Sequence, residues 1–385
     1  MSKKAKKTSS ATGSSVQSAP RTRYAVVGLG HIAQAAVLPA FSHARSNSEL
    51  VALVSSDDKK LQELGKMYKL SALYGYDGLE ECIAQEKINA VYIATPNSEH
   101  VPMVEAAARA GAHVLCEKPL GVTERECRRM IDVCEEAGVK LMTAYRLHFD
   151  PANLRAIEVV KAGDIGEPRH FVASFTYQIK DGENIRLQAK YGGGPLLDIG
   201  IYCVNAARSL FRAEPVEVHA WSTRSKDARF REVDETVIGM LRFPGDRTAV
   251  FTCSFGLSTS SWFELLGTEG GVCLDNAFDY SEKTEITVTK NDKSRTSVVG
   301  KRDQFAAELI YFSDCIQNKR APEPSGWEGL ADVRVLQALR QSIARETPLL
   351  LRPSRFSRHP SPQHRIVRPP VPREPKLVNA ASASE

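Results

Sequence analysis

The run Gly192 to Asn205, GGGPLLDIGIYCVN, sets Asp198, Tyr202 and Asn205 at i, i+4 and i+7 of a helix that starts near Pro195. Three polar side chains then form one stripe on an otherwise apolar segment. A carboxylate one turn before a phenol can serve as an acid–base face at a helix start; a buried pair that only satisfies itself is the alternative. The glycines let the backbone turn sharply and approach a neighbour closely, and Pro195 suits a first helical turn, where its missing N–H costs nothing. A further candidate is Lys118, set between Glu117 and Pro119 at the end of the apolar run AHVLCEKP.

Such residues need a scaffold, and the first half of the chain predicts one. RYAVVGLGHIAQAAVLPAF reads as a buried strand, a glycine turn and a helix, with Gly28, Gly30 and Ala33 in GxGxxA spacing. The first glycine permits the turn, the second admits a pyrophosphate, and the small third residue lets helix pack on strand, so a dinucleotide is expected at the helix N-terminus. The next strand, ELVALVSS, ends in Ser55 and Ser56 where an NAD site usually carries an acid for the ribose hydroxyls. Asp57 and Asp58 fit the cap and first turn of the following helix, and Lys59 and Lys60 lie within reach of a 2′-phosphate. NADP is therefore expected over NAD. Strand and helix then alternate through INAVYIATP, VPMVEAAARAG, AHVLCEKP and VKLMTAY, which predicts an α/β, doubly wound parallel sheet. Thr95, Pro96 and Asn97 end one strand and Glu117 and Lys118 the next, both on the carboxyl edge where ligands bind.

GLGHIA, ATPNSEH, CEKP, YRLHFDP and GGGPLLDIGIYCVN together resemble the Gfo/Idh/MocA oxidoreductase family, most closely its glucose–fructose oxidoreductase branch. The likeness runs from about Arg23 to about Leu350. It implies a cofactor site that also takes in His31, Ile32, His100 and Arg146, and a substrate site of Lys118, Arg146, His148, Asp198 and Tyr202. It also implies hydride transfer between NADP and a sugar, as in oxidation of an aldose at C1 to its lactone, the hydride passing on to a second sugar. A dehydrogenase of a cyclic polyol or dihydrodiol and a non-catalytic cofactor-binding regulator are the rival readings. A free phenol loses its proton only near pH ~10, so Tyr202 as a base needs a neighbouring cation, and Lys118 is the candidate.

The second half, residues 146–351, carries strand-like runs PVEVHAWST, DETVIGMLRF, TAVFTCSFG, WFELLGT and EITVTK, joined by turns such as PGD and NDK. Such runs favour an open, mainly antiparallel sheet. Helices over 151–163, 305–316 and 327–344 are expected to cover it, and relatives pair subunits through the other face, which implies a homodimer or homotetramer. The first domain is placed at 22–145. Residues 1–21, rich in Ser and Lys, are expected to be disordered, and 352–385, rich in Pro and Arg, to be a mobile tail or an arm laid on a partner.

Over 385 residues the net charge is only +5, with four lysines in the initial KKAKK, so nucleic acid is not the expected partner. No apolar run is long enough for a membrane span. Eight scattered cysteines without a CxxC pair suit reduced thiols and no structural metal. The segment RTR lacks the apolar core of the export signal known in the branch, so a cytoplasmic location is expected.

Overall fold

A computed structural model describes residues 20–352, 359–371 and 375–380. The expected disordered segment lies, up to residue 19, outside the described residues. Six strands, β1 (Thr22–Val27), β2 (Ser48–Val54), β3 (Ala72–Tyr74), β4 (Ala90–Ile93), β5 (His113–Glu117) and β6 (Leu141–Ala144), pair in the order β3-β2-β1-β4-β5-β6. All of these pairings are parallel. Both faces of the sheet are covered, so a strand such as β4, Ala-Val-Tyr-Ile, is buried along its whole length. The order reverses between β1 and β4, and a crevice opens at their carboxyl ends.

Helices Leu79–Gln85, His100–Arg109 and Glu124–Glu136 cover one face of this sheet. The other face departs from the sequence reading. There the crossover after β1 supplies only the widened turn Ala33–Val37 and the short helix Leu38–Ala40, too little to cover it. The Gln304–Gln317 helix, expected to close the second half, fills the space. Its Phe305, Leu309 and Phe312 share a core with Tyr24, Leu53 and Tyr92, and the Tyr24 hydroxyl meets Ser313 Oγ at 2.9 Å.

The second sheet has nine strands, β7 (Pro168–Thr176), β8 (Glu217–Thr223), β9 (Thr236–Phe243), β10 (Arg247–Ser254), β11 (Ser260–Gly267), β12 (Gly270–Asp275), β13 (Thr284–Lys290), β14 (Lys293–Val299) and β15 (Leu349–Leu350). They run β14-β13-β12-β11-β7-β10-β9-β8-β15. Only β7 and β10 pair in parallel; the other pairings are antiparallel. In β9, Val237, Leu241 and Phe243 face the core while Ile238, Met240 and Arg242 face outward, the alternation of a sheet with one open face. Strands β12 and β14 are absent from the sequence reading. The former opens on two glycines, and the latter is an exposed edge without apolar alternation. Asn291 and Asp292, at φ 48° and 62°, make the β13–β14 turn in the left-handed form that matches strand twist.

Helices Pro151–Lys161, Ile201–Phe211 and Gly326–Arg345 lie on the inner face. The last belongs to both halves, with Val333 in the first core and Val335, Leu336 and Leu339 in the second. The segment beyond Arg352 corrects the expectation of a mobile tail. Where described, it is laid on the chain's own body. Val378 is buried in the first core, His364 sits 5.2 Å from the Tyr311 ring, and Arg365 pairs with Glu158 at 2.7 Å. A proline-rich segment has fewer unfolded conformations to lose, so it docks with modest apolar burial.

The Ile201–Phe211 helix, which continues the candidate site, is fixed by Arg208. That side chain is fully buried and bonds Glu328 at 2.9 Å, Asp332 at 2.5 Å and Glu214 at 2.7 Å. Removing one member of a buried ion network leaves uncompensated charge behind and costs about 3–5 kcal/mol. Arg208→Ala is expected to lower the unfolding free energy by that amount in a urea titration; a loss under about 1 kcal/mol would show that the carboxylates are relieved by water.

Candidate functional site

A cleft of about 860 Å³ runs from the β1–β4 crevice to the inner end of the second sheet. Its first wall is the glycine turn. Gly28 has φ 89°, and a Cβ there would lie 2.7 Å from the Ala94 carbonyl and the Thr95 amide, so only glycine fits. A Cβ on Gly30 would meet nothing within 4 Å, which leaves a clear approach for a ligand to the backbone. Leu29, His31 and Ile32 line the cleft beside them, as do Thr95, Pro96 and Asn97 at the end of β4.

At the end of β2, Ser55 and Ser56 line the cleft together with Lys60. Asp57 caps the Asp58–Tyr68 helix by accepting from the Lys60 amide at 3.0 Å, and that bond holds its carboxyl below the usual range. Lys59 is on the exposed side of the helix and does not line the cleft, which corrects its assignment. His100 is corrected too. It is fully buried, with Nδ1 3.1 Å from the Pro119 and Leu120 carbonyl oxygens and Nε2 3.2 Å from that of Thr95. It ties the ends of β4 and β5 together instead of lining the cleft.

The chemical end of the cleft is built around Asp198. Lys118, just past β5, donates from Nζ to Asp198 Oδ1 at 2.9 Å and to the Asp198 carbonyl at 2.8 Å. Arg186 Nε donates to Oδ2 at 2.9 Å, and the Tyr177 hydroxyl donates to the same oxygen at 3.3 Å. Burial works against charge on Asp198, yet Lys118 and Arg186 hold its carboxyl far below the usual range. Burial likewise opposes the Lys118 ammonium, and Asp198 with smaller help from Tyr202 and Glu117 raises it above an ordinary lysine. Lys118 Nζ stands 4.9 Å from the Tyr202 ring centroid and Arg146 Cζ 5.0 Å from it. Arg146 is locked by Gln304 Oε1 at 2.6 Å and the Phe278 carbonyl at 2.5 Å. Glu117 lines the same cleft and accepts from the Tyr92 hydroxyl at 2.8 Å; burial raises its carboxyl.

The glycine run does what close approach requires. A Cβ on Gly192 would lie 2.7 Å from Val122, and one on Gly193 2.5 Å from the Arg186 carbonyl. Asn97 Nδ2 donates to the Gly192 carbonyl at 2.9 Å, fastening the end of β4 to the site helix. Arg186 and Tyr177 were missed in the sequence. Both lie in irregular chain between β7 and the glycine run, where no periodicity marks them.

Two expected members are elsewhere. The site helix opens with a widened turn, Leu196–Gly200, before the regular helix Ile201–Phe211. The extra residue breaks the i, i+4, i+7 stripe. Asn205, about one turn beyond Tyr202 on the regular helix, lies outside the cleft lining and donates to Glu328 and Asp332 at 3.0 and 2.8 Å. His148 follows it, with Nε2 2.9 Å from Asn205 Oδ1, buried and outside the cleft lining. His148, expected at the substrate, thus stands in this buried cluster outside the cleft lining.

The model of an oxidoreductase family with an NAD-binding Rossmann fold matches residues 22–145, and that of the Gfo/Idh/MocA C-terminal domain matches residues 153–273. A D-xylose 1-dehydrogenase (NADP(+)) of Haloarcula marismortui is 32% identical over 336 residues, covering 86% of this chain and 93% of its own. The structure of an aldose-aldose oxidoreductase from Caulobacter crescentus, complexed with glycerol, superposes with a TM-score of 0.82 at 35% identity, over 86% of this chain and 100% of that one. The 3-ketoreductase KijD10 from Actinomadura kijaniata, in complex with NADP and TDP-benzene, gives a TM-score of 0.77 at 28% identity, over 84% and 98%.

Burial holds the His148 imidazole down at about 3. The unfolded chain, titrating near ~6.5, then binds a proton that the folded chain refuses, so this stabilisation is complete above that pH and is lost on acidification toward ~3. From pH 7 to pH 5 the loss is about 2 kcal/mol. His148→Asn should remove that part of the decline when unfolding free energies are measured by denaturant at both pH values; an unchanged decline would assign the acid sensitivity to other groups.

Proposed function

The chain belongs to the Gfo/Idh/MocA oxidoreductases, and on that footing we propose an NADP-dependent sugar oxidoreductase that oxidises an aldose at C1 to its lactone. The observation that carries this reading is the joining of two things in one cleft. Lys118, clamped by Asp198 and set against Tyr202, shares its walls with the Gly28–Gly30 turn. A cofactor-binding regulator has no need of that trio; an oxidoreductase does.

The residues present fit NADP. The open side of Gly30 would admit the pyrophosphate, and Ser55, Ser56 and Lys60 would hold the 2′-phosphate end, where Asp57 is already engaged as a helix cap. The names of the xylose dehydrogenase and of the KijD10 complex carry the same cofactor. Bound NADP supplies the acceptor for hydride. The protein's part is the proton. Tyr202 takes it from the sugar hydroxyl as C1 gives up its hydrogen with the electron pair, and the C1–O bond becomes a carbonyl. Lys118 and Arg146 place positive charge where negative charge develops on oxygen. Asp198, held ionised, keeps Lys118 charged and fixed in place. In the reverse direction Tyr202 returns the proton, and the likeness to an aldose-aldose oxidoreductase supports a second aldose as the acceptor.

Trp221, Ile238, Met240 and Leu266 stand exposed on the open face of the second sheet, which supports pairing of subunits there as a dimer or tetramer. Among the described residues no helix is long and apolar enough to cross a membrane. All eight cysteines are free thiols, and that chemistry supports a cytoplasmic location.

A panel of aldoses added to the NADP-loaded protein should raise the reduced-nicotinamide absorbance with at least one of them; a flat response to every aldose would overturn the substrate class. Tyr202→Phe and Lys118→Ala should each slow single-turnover reduction by at least ~10²-fold, and Tyr202→Phe should leave NADP affinity nearly unchanged. Near-normal rates in Tyr202→Phe would remove it from proton transfer. Ser55→Asp should move the ratio of NAD to NADP affinity toward NAD by about tenfold or more, through repulsion of the 2′-phosphate; a constant ratio in equilibrium titrations would place the adenosine ribose elsewhere.

A further inference from the structure

Val371, Pro375 and Leu377 line the same cleft as Gly28, Gly30 and Ser55. The C-terminal segment that carries them is held at two points. Gln34, buried directly behind the glycine turn, donates from Nε2 to the Leu29 carbonyl at 2.8 Å and to the Val378 carbonyl at 2.8 Å, while its Oε1 accepts from the Val378 amide at 2.7 Å. One side chain thus holds the phosphate-binding turn and the C-terminal segment together. At the adenosine end, Asn379 Nδ2 reaches Asp57 Oδ2 at 3.3 Å. Val378 itself is buried in the core of the first domain.

From this geometry we propose that the C-terminal segment is a wall of the nucleotide site, closing the adenosine half of the cleft so that NADP is retained through oxidation of one sugar and reduction of the next. The proposal rests on the cofactor reading above. A wall of this kind obstructs entry as well as exit. Loss of contact with the nucleotide alone would speed release and leave entry unchanged, whereas loss of a wall speeds both.

The test follows NADPH fluorescence in stopped flow, for association and for release into a chase of unlabelled NADP, with the full-length chain as reference. Val378→Pro removes the amide that donates to Gln34 and keeps an apolar side chain at this core position, and deletion of residues 375–385 removes the wall outright. Both rates are expected to rise at least about tenfold in each variant, roughly the worth of one lost hydrogen bond. Faster release with unchanged association would overturn the wall and leave only a weakened binding turn. Unchanged rates in both variants, with normal uptake by the parent, would overturn this proposal alone. A parent protein that takes up no NADPH would overturn the cofactor reading together with it.

Discussion

Lys118 and Asp198 face each other across the seam between the two sheets, one at the end of β5 and the other in the widened turn that opens the site helix. Drawing two charges out of water costs several kcal/mol for each, and only close geometry with satisfied oxygens offsets it. Here both carboxylate oxygens and the carbonyl of Asp198 are occupied by Lys118, Arg186 and Tyr177. Neither half of the molecule can shift without exposing a buried charge. Lys118 and Arg186 hold this carboxylate, while Lys118 and Arg146 stand about 5 Å from the Tyr202 ring, with Glu117 in the same lining. The contact that aligns the halves therefore also fixes a cation beside the phenol.

A single helix serves two polar clusters without mixing them. The turn that carries Asp198 is widened, and further along the regular helix after it Asn205 and Arg208 meet Glu328 and Asp332. One cluster is open to the cleft; the other is sealed and anchors the helix to Gly326–Arg345, which spans both cores. A widened turn also follows β1, where it carries Gln34. In both places the irregular turn sets a polar side chain where a regular helix would have put it on another face.

Much of this was legible in the residues. The GxGxxA turn, the parallel alternation and the Ser55 end of β2 follow from local pattern and strand edges, whereas the joining of Lys118 and Asp198 comes from the family resemblance. What escaped depends on geometry that no spacing rule carries. Asn205 is set on the stripe by a regular period of 3.6, which cannot foresee an extra residue in a turn, and His148 is drawn in by the resemblance alone. Lys59 stands next to Lys60 of the cleft lining, and adjacency in sequence does not tell which way a side chain faces; His100, drawn in by the resemblance, is buried three positions beyond Asn97. Arg186 lies in irregular chain, and the described part of the C-terminal segment is held by contacts to residues more than three hundred positions away.

That separation has a meaning for how the protein is made. Gln34 and Val378 are 344 positions apart, so at roughly 5–20 residues per second the ribosome delivers one about 20–70 s after the other. The parallel sheet is complete at Ala144, well before the Gln304–Gln317 helix and Val378 are made to join its core. Until then the glycine turn lacks the two backbone bonds that Gln34 makes to Val378, and it is fastened from behind only when that distant segment docks.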